Sequence, residues 1–181
     1  MRQTLRLHPD SSCSAVTNLE VEIARPQTRS LALAYVVTGR ISDVAMPAVS
    51  VATRMDELWR HTCFEAFVAA GVAYYEFNFA PSRHWAAYRF SSYRTDMRVA
   101  TEIGPLHITV ERSPERYTLQ ASLDLDQLLL SRDATLRLGL SAVIEEKSGR
   151  RSYWALAHPS GKADFHNSDC FTLELSETYQ S

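Results

Sequence analysis

Two glutamates are the side chains of this sequence best suited to chemistry. Each lies in an aromatic stretch in which polar residues recur at every second position. Glu65 lies in CFEAFV, and Glu76 lies in YYEFNF two residues before Asn78. Side chains two apart on a β-strand share a face, so two neighbouring strands would bring both carboxyl groups onto one surface. Such a pair can act as acid and base on a glycosidic bond, or can bind the polar groups of a ligand.

The strands that would position these glutamates lie between Trp59 and Phe90. The spacing predicts three antiparallel strands with turns near 70–71 and 82–83. One predicted face is apolar, and its members are Phe64, Ala66, Val68, Tyr75, Phe77, Phe79, Tyr88 and Phe90. The other predicted face mixes polar and aromatic side chains, and its members are Cys63, Glu65, Phe67, Tyr74, Glu76, Asn78, Trp85, Ala87 and Arg89.

The predicted register places Glu65 opposite Glu76 and Glu76 opposite Arg89. Arg89, with Arg54 from an earlier segment as a second candidate, would then neutralise the carboxylates in a satisfied polar network. This favours a structural or ligand-binding role over catalysis. A first loop longer by two residues would change these partners and keep the faces, whereas a slip of one residue would exchange the faces. The sequence contains no GxSxG, SxxK, P-loop or GxGxxG motif, and we predict no catalytic residue.

The three tryptophans, Trp59, Trp85 and Trp154, are candidate stacking platforms for sugar rings or other flat ligands. A core or rim position is the commoner role of any single tryptophan. Trp85 is the best platform candidate, because the predicted register places it beside Glu76 and Asn78.

The segment HPSGKADFHNSDC brings His158, Asp164 and His166 close together in the sequence. An extended conformation would put Asp164 and His166 on one face, so a metal site is conceivable. The spacing matches no strong metal motif, and a turn held by histidine and aspartate hydrogen bonds is the favoured alternative. We therefore predict no metal and keep these three residues as weak candidates.

Composition limits the classes of function. The formal charge of −2 over 181 residues gives no electrostatic reason to expect nucleic acid or an anionic membrane surface. No stretch is apolar enough to span a bilayer, and the N-terminus MRQTLRLHPDSSCSAV lacks the apolar core of a signal peptide, which predicts a cytoplasmic protein. Cys13, Cys63 and Cys170 fit neither a disulfide framework nor a metal motif.

The remaining periodicity is that of strands. About ten segments alternate apolar and polar residues, and only 126–130 favours a helical turn. This pattern predicts an all-β, single-domain antiparallel β-sandwich over residues 1–181, with jelly-roll-like connections and at most one short helix.

Three segments carry a resemblance to a known family. They are LWRHTCFEAFV, YYEFNFAPSRHWAAYRFSSYR and YWALAHPSGKADFHNSDCFTLEL. The most specific residues in them are Trp59, Glu65, Phe67, Glu76, Phe77, Asn78, Phe79, Pro81, Trp85, Tyr88 and Phe90. Together they resemble bacterial DOMON-like proteins, which share a superfamily with the family-nine carbohydrate-binding modules.

The resemblance implies a β-sandwich that binds a sugar or haem. Sugar-binding members clasp a sugar end between paired tryptophans, which would make Trp59 and Trp85 the candidates. Haem-binding members supply one methionine and one histidine as axial ligands. The residues available for that role are Met46, Met55, Met97, His158 and His166.

We predict a non-catalytic protein that binds a small molecule, with carbohydrate as the first candidate, and no cofactor, nucleic acid or membrane partner. The alternatives are a partner-binding or structural domain without a small ligand, a b-type haem electron-transfer domain, and a hydrolase that uses Glu65 and Glu76. The predicted ligand-binding residues are Trp59, Glu65, Glu76, Asn78, Trp85, Arg89, Trp154 and His158.

Overall fold

The computed structural model describes residues 1–131 and 134–175. The described residues form thirteen strands: β1 (Arg2–Thr4), β2 (Arg6–Leu7), β3 (Val16–Ala24), β4 (Ser30–Gly39), β5 (Cys63–Ala70), β6 (Ala73–Phe79), β7 (Trp85–Phe90), β8 (Arg98–Val99), β9 (His107–Arg112), β10 (Arg116–Asp124), β11 (Leu136–Glu145), β12 (Arg151–Ala155) and β13 (Leu173–Leu175). The described helical elements are the 3-10 turns Ile41–Asp43, Leu58–Arg60, Leu125–Gln127 and Ser168–Cys170. The predicted all-β fold is confirmed, with more short turns than the one predicted.

Two antiparallel sheets carry these strands. The five-stranded sheet has the order β1-β3-β4-β10-β9. The eight-stranded sheet has the order β2-β12-β11-β5-β6-β7-β8, and β13 also pairs with β11. The chain changes sheets at Leu5, which lies between β1 and β2 and is 1% exposed. A buried apolar residue at the crossing joins the two sheets at their edge.

The core between the sheets follows from alternation along each strand. In β3, Leu19, Val21 and Ile23 are buried while the residues between them are partly exposed. Burial of alternate residues is what a strand with one covered face requires. The strands of the eight-stranded sheet contribute Phe64, Phe77 and their neighbours of the same parity to this inter-sheet core.

The outer face of the eight-stranded sheet is also covered. Almost every residue of β5, β6 and β7 is buried, whichever way its side chain points. A second apolar cluster lies on this outer face and includes Phe67, Tyr74, Tyr88, Phe90 and Phe171. The covering comes from residues 56–61, 91–97 and 163–171, which hold the polar side chains of this face away from bulk water.

The β5–β6 hairpin differs from the predicted register by two residues. Ala70 pairs with Ala73, so that Glu65 lies opposite Asn78 and Phe67 lies opposite Glu76. A shift of two keeps every side chain on its predicted face. The prediction that Glu65 and Glu76 share a face is therefore confirmed, although they are diagonal and not direct neighbours.

The β6–β7 connection differs by one residue, and this exchanges the faces of β7. The turn runs over 80–84, with Arg83 in the left-handed region at φ 73° and the Ala80 amide bonded to the His84 carbonyl at 2.9 Å. Trp85 therefore pairs with Phe79, and Arg89 with Tyr75, on the inter-sheet side. Two predictions were therefore wrong. Trp85 and Arg89 do not lie beside Glu76, and Tyr88 and Phe90 do not lie in the inter-sheet core.

Other predictions concern the chain as a whole. None of the helical turns in the described ranges has the length and apolar character that a membrane-spanning helix needs. The predicted domain of residues 1–181 includes 132–133 and 176–181, which lie outside the described residues.

Candidate functional site

A cleft of about 360 Å³ opens on the outer face of the eight-stranded sheet. Its floor is formed by strand residues and its walls by the covering segments. The lining residues are Trp59, Glu65, Glu76, Phe90, Arg94, Met97, Val143, Arg151, Tyr153, Ala163, Phe165 and His166. The volume lies within the range of small-molecule sites, and the combination of aromatic walls with a few polar groups is typical of such sites.

Glu65 forms one half of the floor and is 3% exposed. The Ser141 hydroxyl on β11 donates a hydrogen bond to its Oε2 at 3.2 Å. From the far side of the sheet, the Tyr35 hydroxyl crosses the inter-sheet core and donates to the Glu65 backbone carbonyl at 2.6 Å. These two bonds fix the position of Glu65 from both layers of the sandwich.

Glu76 forms the other half of the floor and is 5% exposed. The Asn78 amide donates to Glu76 Oε1 at 2.8 Å, and the Cys63 thiol donates to Asn78 Oδ1 at 3.4 Å. Asn78 is fully buried and supports the carboxylate from below, so its predicted place on this face is confirmed while it does not itself line the cleft.

His166 links Glu76 to the wall of the cleft. Its Nε2 lies 3.6 Å from Glu76 Oε2, and its Nδ1 lies 2.8 Å from the Tyr74 hydroxyl. The backbone amide of Arg94 donates to the same hydroxyl at 3.1 Å. The Tyr74 proton is therefore free to point to Nδ1, which leaves the imidazole proton on Nε2 facing the carboxylate.

The electrostatics of the floor follow from burial. Desolvation raises the pKa of Glu76 to about 6, and desolvation together with the charge of Glu76 raises the pKa of Glu65 well above its usual value. Desolvation, with Arg94 adding to it, lowers the pKa of His166 to about 4. Desolvation also raises the pKa of the Cys63 thiol. At neutral pH the histidine and thiol are thus uncharged, and the two carboxyls hold a proton more tightly than exposed ones do.

Trp59 forms a wall of the cleft from the Leu58–Arg60 turn. Its ring meets the edge of Tyr88 at a centroid distance of 5.9 Å, and the Tyr88 hydroxyl donates to Asp56 at 2.7 Å. Glu57 precedes the turn in the left-handed region at φ 62° and pairs with Arg60 at 2.7 Å. Asp56 is therefore tied to the sheet, and the half-buried Trp59 is held in the lining of the cleft.

The covering segment 163–171 packs against the sheet at Gly139, which has no side chain. An added Cβ at Gly139 on β11 would lie 2.4 Å from Phe171 Cδ1. The Phe171 ring stacks on Phe67 at 5.5 Å, and His166 meets Phe67 at 5.3 Å. Gly139 thus creates the space in which the Phe171 ring anchors the segment that carries His166 to the floor.

Asp164 fastens the 91–97 loop to the covering segment. It accepts hydrogen bonds from the Tyr93 hydroxyl at 2.6 Å and from the Arg94 guanidinium at 2.8 Å. Arg94 adopts a left-handed backbone at φ 50°, a conformation uncommon for a residue with a side chain. The contact closes one end of the cleft and gives Arg94 a counter-charge.

Two predicted ligand residues lie away from the cleft. Trp85 is 4% exposed in the inter-sheet core, with the Arg54 guanidinium 4.2 Å from its ring centroid. Arg89 lies on the same side of the sheet and pairs with Glu102 at 3.6 Å. The slip of one residue in β7 explains both positions, and it leaves Glu76 without the arginine partner that was predicted.

Trp154 and His158 also lie outside the cleft lining. Trp154 belongs to the inter-sheet core, where its indole donates to Ser152 at 3.0 Å. His158 Nε2 bonds the Arg6 carbonyl at 2.8 Å, and its ring contacts His8. Asp164 and His166 are bonded as described above, and no group of three potential metal ligands occurs among residues 1–131 and 134–175.

The candidate axial haem ligands do not fit that role as the chain is folded. His158 and His166 each use a ring nitrogen in a bond of 2.8 Å to the protein, and the second His166 nitrogen faces Glu76. Met46 and Met55 line a separate groove between 45–62 and 80–84, whereas Met97 lies at the cleft.

Sequence reasoning missed part of the lining. Arg94, Arg151, Tyr153 and Phe165 were not singled out, and Met97 was named only as a possible haem ligand. One signal for Tyr153 was available, because it alternates with Trp154 along β12 and one of the two must face outward. The loop residues carry no comparable periodic signal.

Comparison with known proteins shows the fold. No protein-family model and no curated protein matches the chain. A Bacteroides uniformis protein proposed to bind carbohydrate superposes with a TM-score of 0.64 at 14% identity, covering 94% of this chain and 84% of that one. A family 9 carbohydrate-binding module from Caldicellulosiruptor kristjanssonii, solved with cellotriose, gives 0.50 at 13%, covering 89% and 74%. At this identity the likeness establishes a shared β-sandwich.

Proposed function

We propose that the outer cleft binds a carbohydrate, without catalysis. The observation that carries the proposal is that the half-buried Trp59 ring lines the same cleft as two buried carboxyl groups, Glu65 and Glu76. An aromatic face stacks on the apolar face of a sugar ring, while carboxyl oxygens bind hydroxyl groups. Both kinds of contact are available within one cavity of small-molecule size.

The comparisons support this proposal without deciding it. Of the two similar folds, one is proposed to bind carbohydrate and the other was solved with cellotriose. The sequence resemblance to bacterial DOMON-like proteins points to the same superfamily. The aromatic partner differs from the predicted pair, because Trp85 is in the core and the rings of Tyr153 and Phe165 line the cleft with Trp59.

Isothermal titration calorimetry with a panel of hexoses, pentoses and their di- and trisaccharides tests the proposal. We expect at least one member to bind, and we expect Trp59→Ala to weaken that binding at least tenfold through loss of the stacking surface. Leu129→Ala is the matched control, because Leu129 is 67% exposed and lies outside the cleft. No binding across the panel, or equal binding by wild type and Trp59→Ala, would contradict the proposal.

A further inference from the structure

The floor of the cleft holds two carboxyl groups that form no ion pair with a lysine or arginine of the described chain. Glu65 has no ion pair among the described residues, and its one side-chain hydrogen bond there comes from the Ser141 hydroxyl. Glu76 accepts from Asn78, and its nearest basic group is His166 at 3.6 Å. A buried carboxylate is normally paired with a cation or fully hydrogen-bonded, and otherwise it holds a proton. The raised pKa of Glu65 and of Glu76 fits a floor that the described residues leave without a paired cation.

The arginines of the cleft do not supply that partner. The charge of Arg94 lowers the pKa of both glutamates from a distance, but its guanidinium is paired with Asp164 at 2.8 Å, beside the hydrogen bond from Tyr93. Arg151 is exposed and donates to the Arg60 carbonyl at 3.3 Å. Both cations therefore belong to the walls and the opening, while the deepest polar groups are acidic.

Aromatic rings complete the surroundings of this acidic floor. Trp59, Phe90, Tyr153 and Phe165 all line the same cavity. The faces of such rings attract a cation, and the attraction grows when water is excluded. A cavity with aromatic walls and unpaired carboxyls at its base is chemically suited to an ammonium group.

We propose that the ligand of this cleft is an amino sugar, whose ammonium group lies against Glu65 and Glu76 while its ring faces Trp59. The inference rests on the carbohydrate-binding function proposed above and adds the charge of the ligand. Glu65 is central to this assignment, because it is 3% exposed yet lines the cleft with hydrogen-bonding capacity that the described residues leave unused. An ammonium group beside it would favour its charged form, so that binding releases the proton that burial retains.

Matched pairs of sugars separate the charge from the ring. Calorimetry at pH 7 in 150 mM salt would compare glucosamine, galactosamine and mannosamine with glucose, galactose and mannose and with the three N-acetylated forms. We expect at least one amino sugar to bind ten or more times as tightly as both its parent hexose and its uncharged N-acetyl form. Parent hexoses that bind as tightly as the amino sugars in all three series would overturn the inference.

Variants locate the preference within the molecule. Glu65→Gln and Glu76→Gln keep the size of each side chain, and we expect each to reduce the preference for the amino sugar to less than threefold. Glu102→Gln is the control, because Glu102 pairs with Arg89 outside the cleft. A preference that survives both cleft variants, or that Glu102→Gln lowers equally, contradicts the inference.

The same experiment distinguishes the two proposals. Binding of neutral hexoses without a preference for the amine would keep the carbohydrate-binding function and remove the ammonium assignment. Binding of no sugar of either kind would contradict both.

Discussion

The eight-stranded sheet carries aromatic rings on both of its faces, yet the two layers differ in the polar groups that accompany those rings. On the inter-sheet side, Trp85 packs with Phe79 and other apolar residues. On the outer side, Trp59 lines the same cleft as Glu65 and Glu76, which are buried and form no salt bridge to a lysine or arginine within 1–131 and 134–175. The contribution of the inter-sheet layer to the stability of the fold is enough to explain its apolar residues. Buried carboxyls cost free energy, and such groups cluster at functional sites.

Trp85→Ala tests the inter-sheet layer and should have the largest effect on stability. Removing a buried tryptophan leaves a cavity, so we expect the free energy of unfolding to fall by about 3–5 kcal/mol. Urea denaturation measures this loss. Sugar affinity of the folded variant should stay unchanged, and a variant that keeps its stability but loses sugar binding would show that Trp85 belongs to the outer site.

Gly139→Ala sharpens the comparison at the covering segment. The added methyl group meets the Phe171 ring, so we expect a loss of about 3 kcal/mol, at the upper end of the cost of overpacking. Displacement of the segment should also weaken sugar binding by shifting His166. Normal stability measured by urea denaturation, together with normal sugar affinity, would contradict the packing described for Phe171.

Glu76→Gln and His166→Gln test the polar layer through pH. The pKa of Glu76 is raised from 4.5 to about 6, so its folded form holds the proton more tightly and stability falls as pH rises through that window. The pKa of His166 is lowered from 6.5 to about 4, so stability falls as pH decreases through that window. The two contributions oppose each other in the wild-type protein.

The stability of each variant relative to wild type should therefore change with opposite sign. We expect Glu76→Gln to gain up to about 2 kcal/mol relative to wild type between pH 4.5 and pH 7.5. His166→Gln should gain relative to wild type as the pH is lowered. Urea denaturation at four pH values measures both trends, and parallel trends for the two variants would show that these groups do not titrate as the geometry requires.

Asp164→Asn should have the smallest effect on stability. Its partners Tyr93 and Arg94 are exposed, so we expect a loss below about 1 kcal/mol. Hydrogen exchange should be faster in 163–167 and unchanged in β13, because the contact holds the loop to the covering segment. Equal hydrogen exchange at 163–167 in the wild-type protein and in Asp164→Asn would argue against this role of Asp164.

The difference between the layers also explains what the sequence could predict. Alternation places Glu65 and Glu76 on one face under any even shift of register, so the floor of the cleft was predictable. The faces of the β7 residues were not predictable. Pro81 signals a turn at 80–84, but the left-handed residue that sets its length is Arg83, where a glycine would be expected. A single extra residue in that turn moved Trp85 from the predicted site into the core.

The walls of the cleft depend on contacts that are distant in the sequence. Arg94 meets Asp164 across 70 residues, and His166 meets Tyr74 across 92. Neither pair leaves a periodic signal in the sequence, because Arg94, Asp164 and His166 lie outside the strands. Gly139 is similar, since the need for a glycine there arises only from where Phe171 packs.

The indole N–H signals of the three tryptophans offer the most direct test of the central claim. In a ¹H–¹⁵N spectrum titrated with the tightest sugar of the panel, we predict that the Trp59 signal, assigned with Trp59→Phe, shifts strongly. The signals of Trp85 and Trp154, which lie in the inter-sheet core, should remain in place. A shift of the Trp85 signal with the Trp59 signal unchanged would contradict the assignment of the outer cleft as the binding site.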